Sequence, residues 1–321
     1  MQSFGPTGQA SFNQLANAIN NAQVPLKRTS TMVDNLMVNL KKTAQWQLSS
    51  TIIHGAQSQL SQAISYVKNL NTSLTNISIV SDLSAKQLAN FAVEAQKMGK
   101  SLATSTLDVT NAALIYFQQG DSVLQAMEKA AITIKAANAS ANSSAAEMSE
   151  YLTAIWNSYQ VGSKELEQYV DIMAALGAKT ASSMEEIATA MQKVAATANT
   201  VGVGFDQMSS IISTVSSVTR ESAESIGTSY KTILARIGDL KLGTLVEDGA
   251  TVTLGQVSSQ LKAIGINVLD AKGDMRDMGD VIEEIGFKWQ GMNDAQKAAV
   301  AQTIAGKRQY TQLMALFENW D

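Results

Sequence analysis

The sequence predicts an all-α protein: a long N-terminal coiled-coil helix followed by a helical bundle, with one small β-hairpin near residues 266–278. Three observations carry this expectation. Proline occurs only as Pro6 and Pro25 in 321 residues, so nothing beyond Pro25 forces a helix to break through proline. Apolar residues recur at three- and four-residue intervals over long stretches. Charged residues are 16% and aromatics 6% of the chain, with Ala, Ser, Thr, Asn and Gln filling the gap. Such a composition suits helices with narrow apolar stripes and small-residue contacts better than one large globular core. The length allows two domains or one elongated one.

Taken in order, residues 1–24 are polar and read as a flexible arm with a short helix near 12–19. Pro25 opens a helix, where its missing N–H costs little. A first stripe, Val33, Met37, Leu40 and Ala44, is out of phase with the longer one after it. From Ile53 the apolar positions are Ile53, Ala56, Leu60, Ala63, Val67, Leu70, Leu74 and Ile77, at strictly alternating steps of three and four. That is a heptad seam, and it predicts a coiled-coil interface, within one chain or between copies. A helix over residues 25–80 would extend about 80 Å.

Beyond a break at 81–84, residues 81–200 read as a helical bundle with short loops. Ser84, Ser105 (or Thr104), and Asp121 can each cap a helix. Ser144 with Glu147, and Ser182 with Glu185, match capping boxes. Gly177 is expected to stop the helix that starts near Ser163. The run TVGVG at 200–204 predicts a hinge at Gly202 and Gly204. In the last region, 201–321, Asp206 is expected to cap one helix and Asn293 or Asp294 another, with Gly306 breaking the latter. A turn at 270–273 is expected to close the hairpin.

Little in the chain asks for chemistry. There is no cysteine, which excludes disulfides, thiolate metal sites and cysteine nucleophiles. The single His54 lies in a helical pattern and cannot make a multi-histidine site. No apolar stretch approaches the roughly 18 residues of a membrane span, and the N-terminus lacks a secretory pattern. The Val-Gly-Val-Gly run and Gly306-Lys307-Arg308 fail the context of a phosphate loop. Glu185/Glu186 and Glu283/Glu284 are adjacent in sequence and diverge around a helix, unlike a glycosidase pair. No catalytic residue, cofactor or metal is therefore expected. Residues 1–80 carry a net +4 within a chain of net −4. The positive charges are sparse and read as a solvated face rather than a nucleic-acid surface.

Residues 187–243, IATAMQKVAATANTVGVGFDQMSSIISTVSSVTRESAESIGTSYKTILARIGDLKLG, resemble a phage tail tape-measure protein of the siphophage type. The flanking runs LIYFQQG (114–120), TAIWNSY (153–159) and AGKRQYTQLMALFENWD (305–321) fit the same family, so the likeness runs from about Leu83 to the end. The resemblance implies an elongated helical protein in the lumen of the growing tail tube. Such a protein sets tail length by limiting tube polymerisation and leaves ahead of the DNA. It implies tail tube protein and tail assembly chaperones as partners, a homo-oligomer (trimer or hexamer), proximity to DNA, and a location in the virion tail and, during assembly, the host cytoplasm. Arg220, Arg236, Lys307 and Arg308 fall in the most distinctive segments and are candidates for subunit contacts. Relatives are usually longer, so the chain is expected to be a fragment or a shortened form. Two other classes share some features: a helical membrane-active or pore-forming protein, and a cell-wall-degrading enzyme. The first would need a concealed apolar hairpin and the second a carboxylate pair.

Overall fold

A computed structural model describes residues 56–320 apart from 141–142, 160–161, 244 and 248–249, with side chains described from residue 65 on, Ala250 excepted. The arm 1–24 and the expected helix from Pro25 as far as residue 55, with Ile53 and His54, lie outside these residues, as do the side chains of Ala56, Leu60 and Ala63. The described chain is all-α, as the sequence predicts. Its contacts divide it into two units, Met1–Ile134 and Lys135–Asp321.

The first unit contains α1 (Ala56–Val80), α2 (Ala85–Ser101), α3 (Thr106–Gln118) and the start of α4 (Val123–Ala139). Helix α2 starts on a reciprocal capping box between Ser84 and Gln87, and α3 on one between Ser105 and Asp108. Each box satisfies two backbone donors that a helix start leaves open. Helix α1 packs on α3 and more lightly on α2. Among its described side chains the buried ones are the last three apolar positions of the heptad seam, Leu70, Leu74 and Ile77, together with Ser73. Phe91 of α2 meets Phe117 of α3 edge to face, 5.4 Å between centroids. Asp121 does not cap α4. Ser122 does, with Gln125, and Asp121 instead accepts from Lys129 Nζ at 2.7 Å. That lysine is 2% exposed and lies 5.6 Å from the Tyr116 ring centre. The Tyr116 hydroxyl in turn is 2.6 Å from Thr133 Oγ1.

The second unit holds α5 (Ala145–Tyr159), α6 (Ser163–Lys179), α7 (Met184–Thr200), α8 (Phe205–Thr219) and α9 (Ala223–Leu242). A two-residue strand pair comes next, β1 (Val246–Glu247) with β2 (Ala250–Thr251), and then α10 (Leu254–Lys262), α11 (Met278–Trp289) and α12 (Asp294–Phe317). Helix α7 is central: it packs against α5, α6, α8 and α9. Its sequence, MEEIATAMQKVAATANT, presents small residues on several faces, and Ile187, Ala188, Ala190, Met191 and Val194 are fully buried. Gly227 of α9 sits against Ala190, where an added Cβ would lie 2.6 Å from the Ala190 carbonyl oxygen. The two backbones approach this closely because one side chain is a methyl and the other is absent. Gly227→Ala is expected to destabilise by about 1–3 kcal/mol through overpacking. A denaturant midpoint unchanged from the parent would refute the tight contact.

Several local expectations shift. Helix α7 is capped by Ser183 with Glu186, not Ser182 with Glu185, and Glu185 accepts instead from Ser140 Oγ. Helix α6 runs through Gly177 to Lys179. The missing Cβ there leaves room for the backbone of Met184, whose nitrogen would lie 2.8 Å from it. Gly204, not Asp206, occupies the N-cap of α8. Between 266 and 278 the chain reverses at Asp270–Gly273, but its ladder amounts to one antiparallel bridge, Leu269 to Met275. Asp270 Oδ1 accepts from the Lys272 and Asp274 amides and shapes the turn.

Arg276 and Lys288 flank Glu284, with contacts of 2.5 and 2.7 Å. Burial raises the Glu284 pKa, but hydrogen bonds from Lys288 and Arg276 outweigh it and hold the carboxyl below its ordinary value. The lowered value means this contribution is complete above the unfolded carboxylate range and is lost as pH falls through the folded value. Glu284→Gln is expected to flatten the acid limb of a melting-temperature profile. An acid limb as steep as the parent's would refute the contribution.

Candidate functional site

Three of the four runs that carry the family likeness, 153–159, 187–243 and 305–320, converge in the second unit, whereas LIYFQQG (114–120) lies in the first. Helix α12 is folded at Gly306, whose φ of 73° and ψ of 171° belong to a region open essentially to glycine alone. In a straight helix, residues 21 positions apart would be separated by about 31 Å, yet Lys297 Nζ lies 3.0 Å from Glu318 Oε1. The two arms therefore fold back on each other. The carbonyls of Thr303 and Ile304 lie in the last turn before the break, where helical donors run out. Arg236 Nη1 donates to both, at 2.6 and 3.0 Å. The rest of the same guanidinium forks onto Glu247, Nε to Oε1 at 2.6 Å and Nη2 to Oε2 at 2.9 Å. One planar cation thus caps a helix end and pairs a carboxylate, a task for which arginine's rigid fork is suited. Space is tight: a Cβ at Gly306 would lie 3.2 Å from Arg236 Nε.

The second arm is fixed further along. Tyr230, buried in α9, donates its hydroxyl to the Gln312 carbonyl at 3.1 Å, and Gln312 Nε2 donates to Glu221 at 2.7 Å. At the end of the chain Phe317 lies 4.9 Å from Trp289 and 5.8 Å from Trp320, and the Trp320 indole covers Gly286. Runs 153–159, 187–243 and 305–320 thus belong to one packed unit.

Of the four basic candidates, Arg236 forms this clamp. Arg220 is the left-handed C-cap of α8, φ 56°, and its Nη1 donates to the Ala181 carbonyl at 3.0 Å. Lys307 and Arg308 come just after the break and are exposed. The structure does not bring the four together at one place. Gly202 and Gly204 lie in the turn between α7 and α8. That turn is bonded to the start of α11: the Met278 amide donates to Val201 O and the Gly279 amide to Gly202 O, at 2.9 and 3.2 Å. Gln207 Nε2 adds a bond to the Gly279 carbonyl at 2.9 Å. Gly202 needs its φ of 79°, and a Cβ there would collide with Asp277. Glu247 is not legible in the sequence as Arg236's partner, since it sits in a stretch with no periodic pattern.

Beside that turn is a cavity of about 520 Å³ lined by Tyr159, Tyr169, Asn199, Gly204, Phe205 and Asp206 among others. Tyr169 stacks on Phe205 at 3.8 Å and 9°, and Tyr159 stands edge-on to both at 6.0 Å. Tyr159 donates to the Val203 carbonyl. Burial raises the pKa of both tyrosines, most for Tyr159, and the Asp206 charge adds to it. Among the described residues no cluster of His, Cys, Asp or Glu is arranged to hold a metal, and no helix is long and apolar enough to cross a membrane.

Small-residue helix contacts, with a charge clamp at Arg236 among their ion pairs, define a helical packing protein. The family model of phage-related minor tail proteins matches residues 92–306, and the chain belongs to that family. A curated relative, the probable tape measure protein of Escherichia phage P2, is 21% identical over 223 residues, 69% of this chain and 26% of the relative. The chain thus spans about a quarter of the length of that relative. No solved structure matches the chain. The resemblance to tape-measure proteins read from the sequence holds, and the role is that of a phage tail component.

Proposed function

We propose that this chain is part of a tape measure, a protein that lies in the lumen of the tail tube, limits polymerisation of the tube protein and leaves ahead of the DNA. The observation that carries the reading is the family match across residues 92–306, which spans most of the second unit and the last part of the first, from residue 92 on. The physics is compatible with the task. A helix rises a fixed 1.5 Å or so per residue, so gene length becomes distance. The compact unit of α5–α12 is not itself a ruler. It acts as a folded module of a longer protein, while the heptad stretch upstream contributes length.

In this reading the tube protein and tail assembly chaperones are the partners, and the seam from Ile53 to Val67 joins copies into a trimer or hexamer. Its last positions, Leu70, Leu74 and Ile77, are used inside the chain. The turn at Gly202 and Gly204 is where the module yields when the protein is released, and exposed Arg220, Lys307 and Arg308 meet neighbouring subunits. Light scattering of the purified chain tests the seam: Leu60→Asp with Val67→Asp is expected to convert an oligomer to monomer. A parent chain that is already monomeric would remove the seam from assembly. Cross-linking of assembled tails tests the location. Links from lysines of this chain to the tube protein are expected, and links confined to the tail tip would contradict a lumenal position.

A further inference from the structure

The cavity beside the α7–α8 turn has a chemistry that the packing of the fold does not use. Phe205 is buried at its floor, 3% exposed. Tyr169 lies flat over Phe205 and is half-buried, so one ring face is spent on the stack and the other is turned away from it. Tyr159 closes one side, held by its hydroxyl on the Val203 carbonyl. Two carboxylates stand near this platform. Asp206 lines the cavity, and its Oδ1 folds back to within 3.0 Å of where a Cβ on Gly204 would be. Glu165 precedes Tyr169 by four residues, hence on the same face of α6, and its Oε2 reaches to 2.8 Å from a Cβ position on Gly162.

Both carboxylates fold back toward glycines, at positions 162 and 204. Both are exposed, and neither takes part in an ion pair among the described residues. The same two charges raise the Tyr169 pKa, after burial, which places their field at the ring. No lysine, arginine or histidine is among the described residues that line the cavity. The positive ends of α6 and α8 lie close by, but each is worth only about half a charge. Two full negative charges outweigh them, and the site keeps a negative potential over an aromatic face.

From this geometry we infer that the cavity is a docking site for an arginine side chain presented by a partner polypeptide. The guanidinium would lie on the outer face of Tyr169 and pair with Asp206 or Glu165. A planar, weakly hydrated cation can stack and form a forked bond at once, which an ammonium cannot. The tape-measure reading bears only on who the partner is, namely another tail protein; the site stands or falls on its own.

The test uses the full chain labelled with 3-fluorotyrosine, resonances assigned by Tyr159→Phe and Tyr169→Phe, and N-acetyl-arginine amide as probe. Saturable shifts of the Tyr169 resonance in the millimolar range are expected. N-acetyl-citrulline amide, of the same shape without the charge, should bind at least tenfold more weakly. Glu165→Gln with Asp206→Asn, both surface changes, should weaken the arginine probe at least tenfold while the fluorine spectrum of the free chain stays folded. An absent or unsaturable shift, equal binding of citrulline, or an unaffected double variant would overturn the inference. Equal or tighter binding of tetramethylammonium would assign the cavity to quaternary ammonium groups instead and would also overturn it. Because the shifts are read on the isolated chain, failure here is distinct from any failure of the tail-length proposal.

Discussion

Lys129→Ala is expected to cost the first unit about 3–5 kcal/mol, because it leaves the Asp121 carboxylate buried without its cation. The pair is almost sealed from solvent, with the two side chains 2% and 8% exposed. Water cannot replace the missing charge without opening the turn between α3 and α4. Hydrogen exchange read on the amides of α3 and α4 is the suitable measurement, since a chain of two units does not unfold in one step. Protection should fall there and stay intact in α7 and α9. Removing both charges with Asp121→Leu and Lys129→Met should recover most of the loss, because replacing a buried pair with apolar groups is often neutral or better. A single substitution as mild as the double one would mean that the pair is already hydrated.

Arg236→Ala is expected to destabilise the second unit by about 2–4 kcal/mol. It removes four hydrogen bonds at once: two to the carbonyls of Thr303 and Ile304 and two to Glu247. Arg236→Lys should not rescue it, since a single ammonium cannot span both sets. Glu247→Gln should cost less than half as much, because Glu247 is 38% exposed against 10% for Arg236. The urea midpoint of the second unit decides this. Equal effects of the lysine and alanine variants are expected, and full rescue by lysine would refute the two-way clamp.

Much of the helical order is legible in the sequence because the start signals are local. Ser84, Ser105 and Asn293 each stand three residues before a side chain that returns the hydrogen bond, and all three cap as expected. Where two serines and two glutamates are adjacent, at 182–183 and 185–186, either pair fits the rule, and only packing selects Ser183 with Glu186. Gly306 is legible as a break. Gly177 is not, because a glycine that stops a helix and one that admits a neighbouring backbone look alike in sequence. The site is less legible still. The Arg236 partners lie 11, 67 and 68 residues away, and no local pattern announces a contact of that kind. The three rings of the aromatic cavity come from three helices, and only the tertiary fold brings Tyr159, Tyr169 and Phe205 together.

If helix length in this protein becomes tail length, added helix must lengthen the tail. The direct measurement is electron microscopy of tails from the encoding phage after insertion of about four heptads, copied from the Ile53 repeat, ahead of Ile53. At about 1.5 Å per residue the tails should lengthen by about 42 Å. Tails of unchanged length that nevertheless contain the lengthened protein would contradict it.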